Sequence, residues 1–181
     1  HKKLEGDANN DWLFSHRLLS ENGIGIDFET VKQRFEDIYQ GENGFDGVWD
    51  REICLVNRDW LVKLAERMPL GIVTGRPRND AIRFLQNEKI EHLFESIVCM
   101  EDGPRKPDPS NVLTAMKNMD VSRAWMIGDT PDDMGAACSA EVIPIGKVAP
   151  NDEIEFSSEQ LTRSGACEIV STLEQLGEML P

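Results

Sequence analysis

Trp125-Met126-Ile127-Gly128-Asp129-Thr130-Pro131-Asp132-Asp133 is the stretch whose reading decides the fold. A short apolar run stops at a glycine, an aspartate follows, and a second aspartate comes four residues on. Thr130 and Pro131 between them read as a helix start, because proline suits the first helical position and acids suit the positive end of a helix. Asp129 is then expected at the carboxyl end of a strand and Asp133 on the first turn of the following helix. Two carboxylates converge on one crevice, where an open parallel sheet keeps its ligands. Hard divalent cations such as magnesium take oxygen ligands of this kind. The plain alternative is an acidic turn in which Asp133 serves only the helix dipole.

Upstream of this stretch the same rhythm repeats. Leu70-Gly71-Ile72-Val73-Thr74 is a short apolar run of the sort buried on both faces of a sheet, punctuated by Gly75 and Pro77. A helix is predicted over residues 77–87, a strand over 97–100, and a helix over 111–119. The strand before Gly128 spans 124–127 and its helix 131–139. A fourth strand is predicted over 141–145. Residues 150–165 read as polar and irregular, residues 169 and 170 as a small edge strand, and 173–180 as a closing helix. Strands alternating with helices of this length make βαβ units and a parallel sheet, so the fold class is α/β.

The first third has a different character. Asn10 and Asp11 are cap-type residues before a helical run ending near Asn22-Gly23, and Asp27 caps a second helix that closes at Gly41. Three glycines in the seven residues from Gly41 to Gly47 mark a loop. The organisation expected is a helical cap over residues 1–56 and an α/β core over 57–181.

Composition excludes several functions. The chain of 181 residues is 40% hydrophobic and 29% charged, as a globular protein is, and carries a net charge of −14. That charge repels polyanions, so no nucleic acid and no membrane surface is expected as a partner. No apolar run approaches the roughly 20 residues of a membrane span. The four cysteines form no C-x-x-C pair and read as free thiols of a reducing, cytoplasmic setting.

Three features fall at or beyond the ends of successive strands. Thr74-Gly75-Arg76 follows the first, Lys106 in Arg105-Lys106-Pro107-Asp108-Pro109-Ser110 lies after the second, and Asp129 and Asp133 follow the third. A parallel sheet brings these ends together. A hydroxyl, an ammonium and two carboxylates at one edge suit a phosphoryl group and a magnesium ion. Singly each is an ordinary turn or loop residue; jointly they make one site. The polar cluster Asn9-Asn10-Asp11-Trp12 adds a candidate substrate contact at Asn10, with helix capping as its plainer role.

These three motifs resemble the second, third and fourth motifs of the haloacid dehalogenase superfamily, and the helical lead-in resembles the α-helical cap of its first subfamily. The resemblance implies a Rossmann-like core and a magnesium-dependent phosphatase acting on a small phosphorylated metabolite through an aspartyl-phosphate. By that resemblance Thr74 and Lys106 bind the phosphoryl group, with Gly75 and Arg76 beside it. Asp129 ligates Mg2+, and Asp133 supports the metal's water shell or the lysine. The superfamily's first motif, an apolar strand ending in Asp-x-Asp-Gly, has no counterpart here. That strand belongs between the strands ending at Thr74 and Ile127, so its absence is expected to leave a gap with open ladder edges. The resemblance further implies a natural protein starting about 30 to 50 residues earlier and a chain inactive without that strand. Two alternatives stay open, a non-catalytic short form used for binding or assembly, and a phosphomutase with the same motifs.

Overall fold

The computed structural model describes residues 10–179. Residues 1–9, with Asn9 among them, and residues 180 and 181 fall outside the described residues. Two helices come first, α1 (Asp11–Glu21) and α2 (Phe28–Gln40), packed on each other as a hairpin. Their starts follow from capping chemistry: Asn10 Oδ1 accepts from the Leu13 N–H at 3.0 Å, and Asp27 Oδ1 accepts from the Thr30 N–H at 3.0 Å. Gly41 ends α2 in the left-handed conformation, φ 80°, which a residue with a Cβ adopts at a cost.

A loop with one short 3-10 helix, Trp49–Arg51, leads to α3 (Arg58–Ala65), after which strands and helices alternate: β1 (Gly71–Val73), α4 (Arg78–Asn87), β2 (Ser96–Val98), α5 (Ser110–Asn118), β3 (Trp125–Gly128), α6 (Pro131–Ser139), β4 (Ile143–Lys147), α7 (Ile154–Arg163), β5 (Glu168–Val170) and α8 (Leu176–Met179). All pairings are parallel, as the α/β reading requires. Residues 154–163, read as irregular from the sequence, form α7. Only Ser157 and Leu161 of that helix are buried, so its apolar stripe is too narrow to stand out of a polar segment. The fourth strand lies two residues later than its apolar run suggested, because Glu141 turns back at φ 58° before the ladder begins.

The strands form two ladders. One is β1–β2, the other β3–β4–β5, and no backbone ladder joins β1 to β3 among the described residues. The Thr74 N–H donates to the Val98 carbonyl at 2.9 Å, toward β2. The Val73 carbonyl is instead taken by the Lys106 ammonium at 3.2 Å.

Side chains hold the two ladders together instead. On one face, Val73 of β1 and Met126 of β3 pack on a single cluster built from Val112 of α5 and Ala136, Ala137, Ala140 and Val142 in and after α6. On the other, Trp60 of α3 packs against two clusters, one around Leu61, Leu85 and Ile90 beside β1, the other around Ile145, Val170 and Leu176 beside β4 and β5. Burial of this kind contributes roughly 25 cal/mol per Å² of apolar surface and needs no ladder. No helix among the described residues is long and apolar enough to cross a membrane.

Candidate active site

The carboxyl ends of β1 and β3 face each other across Lys106. Its side chain is only 9% exposed, and Nζ stands 2.6 Å from Asp133 Oδ1 while donating to the Val73 carbonyl. An ammonium this buried needs partners, and it has a carboxylate on one side and a strand-end carbonyl on the other. The loop bringing it here has a cis Lys106–Pro107 peptide and lies against α6 so closely that a Cβ on Gly135 would come within 2.9 Å of Pro107 Cβ.

Asp133 is itself held from several directions. Its Oδ2 accepts from the backbone N–H groups of Asp129 and Thr130, each at 3.1 Å, and from the Thr130 hydroxyl at 2.7 Å. Thr130 Oγ1 accepts in turn from the Asp133 N–H at 3.2 Å, closing a capping box over the first turn of α6. Gly128 makes room for this arrangement, since a Cβ there would lie 2.2 Å from Asp133 Cβ and 2.6 Å from Oδ2. One oxygen of Asp133 therefore serves the strand-to-helix turn and the other serves Lys106.

Thr74 sits one residue past β1, and its Oγ1 accepts from the Arg76 N–H at 3.2 Å, leaving the hydroxyl proton to donate. Thr74, Gly75 and Lys106 line one crevice together with Arg105, Met100 and Asn111. Asn111 Nδ2 donates to the Pro104 carbonyl at 3.2 Å, and its Oδ1 is buried without a partner at the crevice wall.

Other candidate residues point elsewhere. Arg76 Nη2 donates to Glu52 Oε2 at 2.9 Å and to the Tyr39 hydroxyl, and its guanidinium lies 5.7 Å from the Phe84 ring centroid. Burial works against that charge, but the hydrogen bond and charge of Glu52 outweigh it and raise the Arg76 pKa above its ordinary value. Burial raises the Tyr39 pKa, with Arg76 opposing and Glu52 adding to the rise. Arg76 thus ties the strand-end loop to α2 and the segment after it. Asn10 spends its side-chain oxygen on capping α1. Glu101 accepts from the Arg78 N–H at 3.1 Å, and Asp102 pairs with the Arg78 guanidinium.

A magnesium ion would find one donor of the right kind in Asp129, a hard carboxylate at the end of β3. Both Asp133 oxygens are engaged as described, which suits an outer role. Among the described residues no three of His, Cys, Asp and Glu come together as a metal cluster. The donor set fits the ion in kind, and a further anionic ligand is needed to complete it. Sequence reasoning missed Glu52 and Tyr39 beside Arg76, and it missed Asn111. Their contacts join segments 24, 37 and 7 residues apart, which no local pattern reports.

The chain is similar to known proteins in sequence and in fold. A family model for haloacid dehalogenase-like hydrolases matches residues 57–146. An imidazoleglycerol-phosphate dehydratase of Phytophthora nicotianae is 37% identical over 98% of this chain, which corresponds to 40% of that protein. A validoxylamine A 7'-phosphate phosphatase of Streptomyces hygroscopicus subsp. limoneus is 33% identical over 48% of this chain and 42% of its own. The chain thus spans about two fifths of these curated relatives. A hydrolase from Pseudomonas syringae superposes with a TM-score of 0.71 at 24% identity, covering 93% of this chain and 78% of that one. With its α/β architecture of parallel strands and its strand-end motifs, the chain belongs to the haloacid dehalogenase-like hydrolases.

Proposed function

We propose that this chain is the phosphoryl-binding part of a magnesium-dependent phosphatase for a small phosphorylated metabolite. The observation that carries the reading is the buried Lys106 ammonium, fixed between Asp133 and the end of β1 and lining one crevice with Thr74. Lysine supplies charge for the phosphoryl oxygens, and the Thr74 hydroxyl and nearby backbone N–H groups supply donors. Asp129 would hold Mg2+, which when bound neutralises charge building on the transferring group. Asp133 keeps Lys106 in place.

The attacking group comes from elsewhere. The slot between β1 and β3 is flanked by two parallel ladders and suits one more parallel strand. A carboxylate at the end of that strand would attack phosphorus and form an acyl phosphate as the phosphorus–oxygen ester bond breaks, and the departing alkoxide would take its proton from water. Water then hydrolyses the acyl phosphate. The α1–α2 hairpin would act as the cap that excludes bulk water. The dehydratase activity named for the Phytophthora relative is said of a protein of which this chain matches 40%. The crevice gathers the groups of phosphoryl transfer, and the family is one of hydrolases.

The test is inorganic phosphate release from p-nitrophenyl phosphate by the complete protein with and without Mg2+. Asp129→Asn is expected to abolish the magnesium-dependent part, and Lys106→Ala to weaken vanadate binding at least roughly tenfold. Unchanged activity in the first variant, or undiminished vanadate affinity in the second, removes that residue from its role.

A further inference from the structure

The loop that leaves β1, residues 74–77, is a partition between two spaces. Thr74 lines the phosphoryl crevice. Arg76 and Pro77 line a second chamber of about 60 Å³ between the α1–α2 hairpin and the start of α4, and Gly75 and Met100 border both. Whatever fixes the chamber side of so thin a wall also sets the crevice side.

Main-chain contacts hold the two ends of this loop. The Thr74 N–H is bonded to the Val98 carbonyl, and the Arg76 carbonyl accepts from the Met100 N–H at 3.1 Å. Between them Gly75 has no side chain to pack. The Arg76 N–H donates to Thr74 Oγ1 at 3.2 Å. The setting of Arg76 therefore decides where the Thr74 hydroxyl stands and which way its proton is free to point.

The Arg76 side chain is in turn aimed by residues outside the core strands. Glu52 Oε2 accepts from Arg76 Nη2 at 2.9 Å, and Glu52 Oε1 accepts from the Tyr39 hydroxyl at 3.1 Å. The guanidinium also lies 5.9 Å from the Tyr39 ring centroid. Both carboxylate oxygens of Glu52 are thus spent, one on the arginine and one on the residue that flanks it. An ion pair about a third exposed on each side adds little to stability. Its effect on geometry is larger, because a planar fork held at one nitrogen and beside one ring has few ways to turn. A second knot docks the hairpin without it. Arg83 donates to Gln40 Oε1 and Asp80 Oδ1, each at 2.8 Å, and stands 4.4 Å from the Trp49 ring centroid. The docking of the hairpin therefore does not depend on Glu52 alone, whereas the aim of Arg76 does.

We propose that Glu52 is a positioning residue for phosphoryl transfer, acting through Arg76 on the Thr74 hydroxyl. By this route the seating of the segment after the hairpin is felt in the crevice. The inference rests on the phosphatase reading above.

A double-mutant cycle on the complete protein tests it, read as vanadate affinity in the presence of Mg2+. Glu52→Ala is expected to weaken vanadate binding roughly fivefold. In a Thr74→Val background the hydroxyl is gone while Lys106 still holds the anion, and there the same change is expected to cost less than about twofold. Equal losses in the two backgrounds, or no loss in the first, overturn the inference. So does tighter vanadate binding, which would mean that Glu52 restrains an Arg76 otherwise free to reach the crevice. Should Glu52→Ala fail to fold, Glu52→Gln takes its place in the cycle, with a smaller loss of the same pattern. Absence of both vanadate binding and phosphate release from p-nitrophenyl phosphate in the parent would instead count against the phosphatase reading. In that event the Arg76 amide proton, which bonds Thr74 Oγ1, carries the test by NMR. An upfield shift on Glu52→Ala upholds the route, and an unmoved resonance overturns it.

Discussion

Gly128 explains why the site has the shape it has. The Asp133 carboxyl occupies the space in which any Cβ at 128 would fall. Gly128→Ala is therefore expected to push Asp133 off Lys106, costing about 1–3 kcal/mol of stability by overpacking. It should also lower phosphatase kcat/KM by roughly tenfold or more, because the lysine loses its anchor. Denaturant unfolding and steady-state rates read the two effects, and a variant as stable and active as the parent refutes the packing argument. At this scale much was legible in advance. The Gly-Asp-Thr-Pro-Asp-Asp order announced a strand end, a cap and two acids. It could not announce that Asp133 would divide its oxygens between a helix turn and Lys106, since that lysine lies 27 residues away and arrives only through the fold.

At the scale of elements, helix starts were the easiest features to read, because Asn10, Asp27 and Thr130 each carry the side-chain acceptor that a first turn needs. Helix α7 lacked both a side-chain cap and a broad apolar stripe, and was missed for that reason. The turn after β2 is tied down by one carboxylate. Asp102 Oδ2 accepts from the Cys99 N–H at 2.6 Å and pairs with Arg78. The Cys99 N–H first, and then Arg78, hold the Asp102 carboxyl below its ordinary 3.8. A carboxylate with a depressed pKa contributes stability that is present above the ordinary value and lost as pH falls through the lowered one. Acidification below 3.8 should thus loosen the Met100 wall shared by the crevice and the chamber. Asp102→Asn removes this charge, so its stability should fall less than the parent's between pH 5 and pH 3. Equal losses in urea unfolding at the two pH values would show that Asp102 contributes nothing to acid sensitivity.

The described residues form two parallel ladders joined by side chains, and the place where backbone pairing stops is the place where the candidate site lies. An alternating βαβ pattern predicts parallel strands, yet it says nothing of which strands are neighbours. Placing the gap between β1 and β3 required the family resemblance, because Val73 and Met126 look from their sequence like residues of any buried strand. The structure then divides adjacent residues of β1 and its exit by what they face. The Thr74 N–H points to β2 and is bonded to the Val98 carbonyl at 2.9 Å, whereas Val73 turns its carbonyl to Lys106. Main-chain N–H and C=O groups of one strand residue point to the same side, so the Val73 N–H faces the slot. Amide exchange reports such differences directly, since an N–H without a ladder partner opens with little local cost. In the 181-residue chain the Val73 amide should exchange at least roughly tenfold faster than the amide of Thr74, the next residue. Lys106→Met should leave that ratio in place, because the lysine holds the Val73 carbonyl and not its N–H. If the strand proposed above occupies the slot, Val73 becomes as protected as Thr74. Equal, slow exchange of both amides in the 181-residue chain would mean that the slot is closed by something other than a strand.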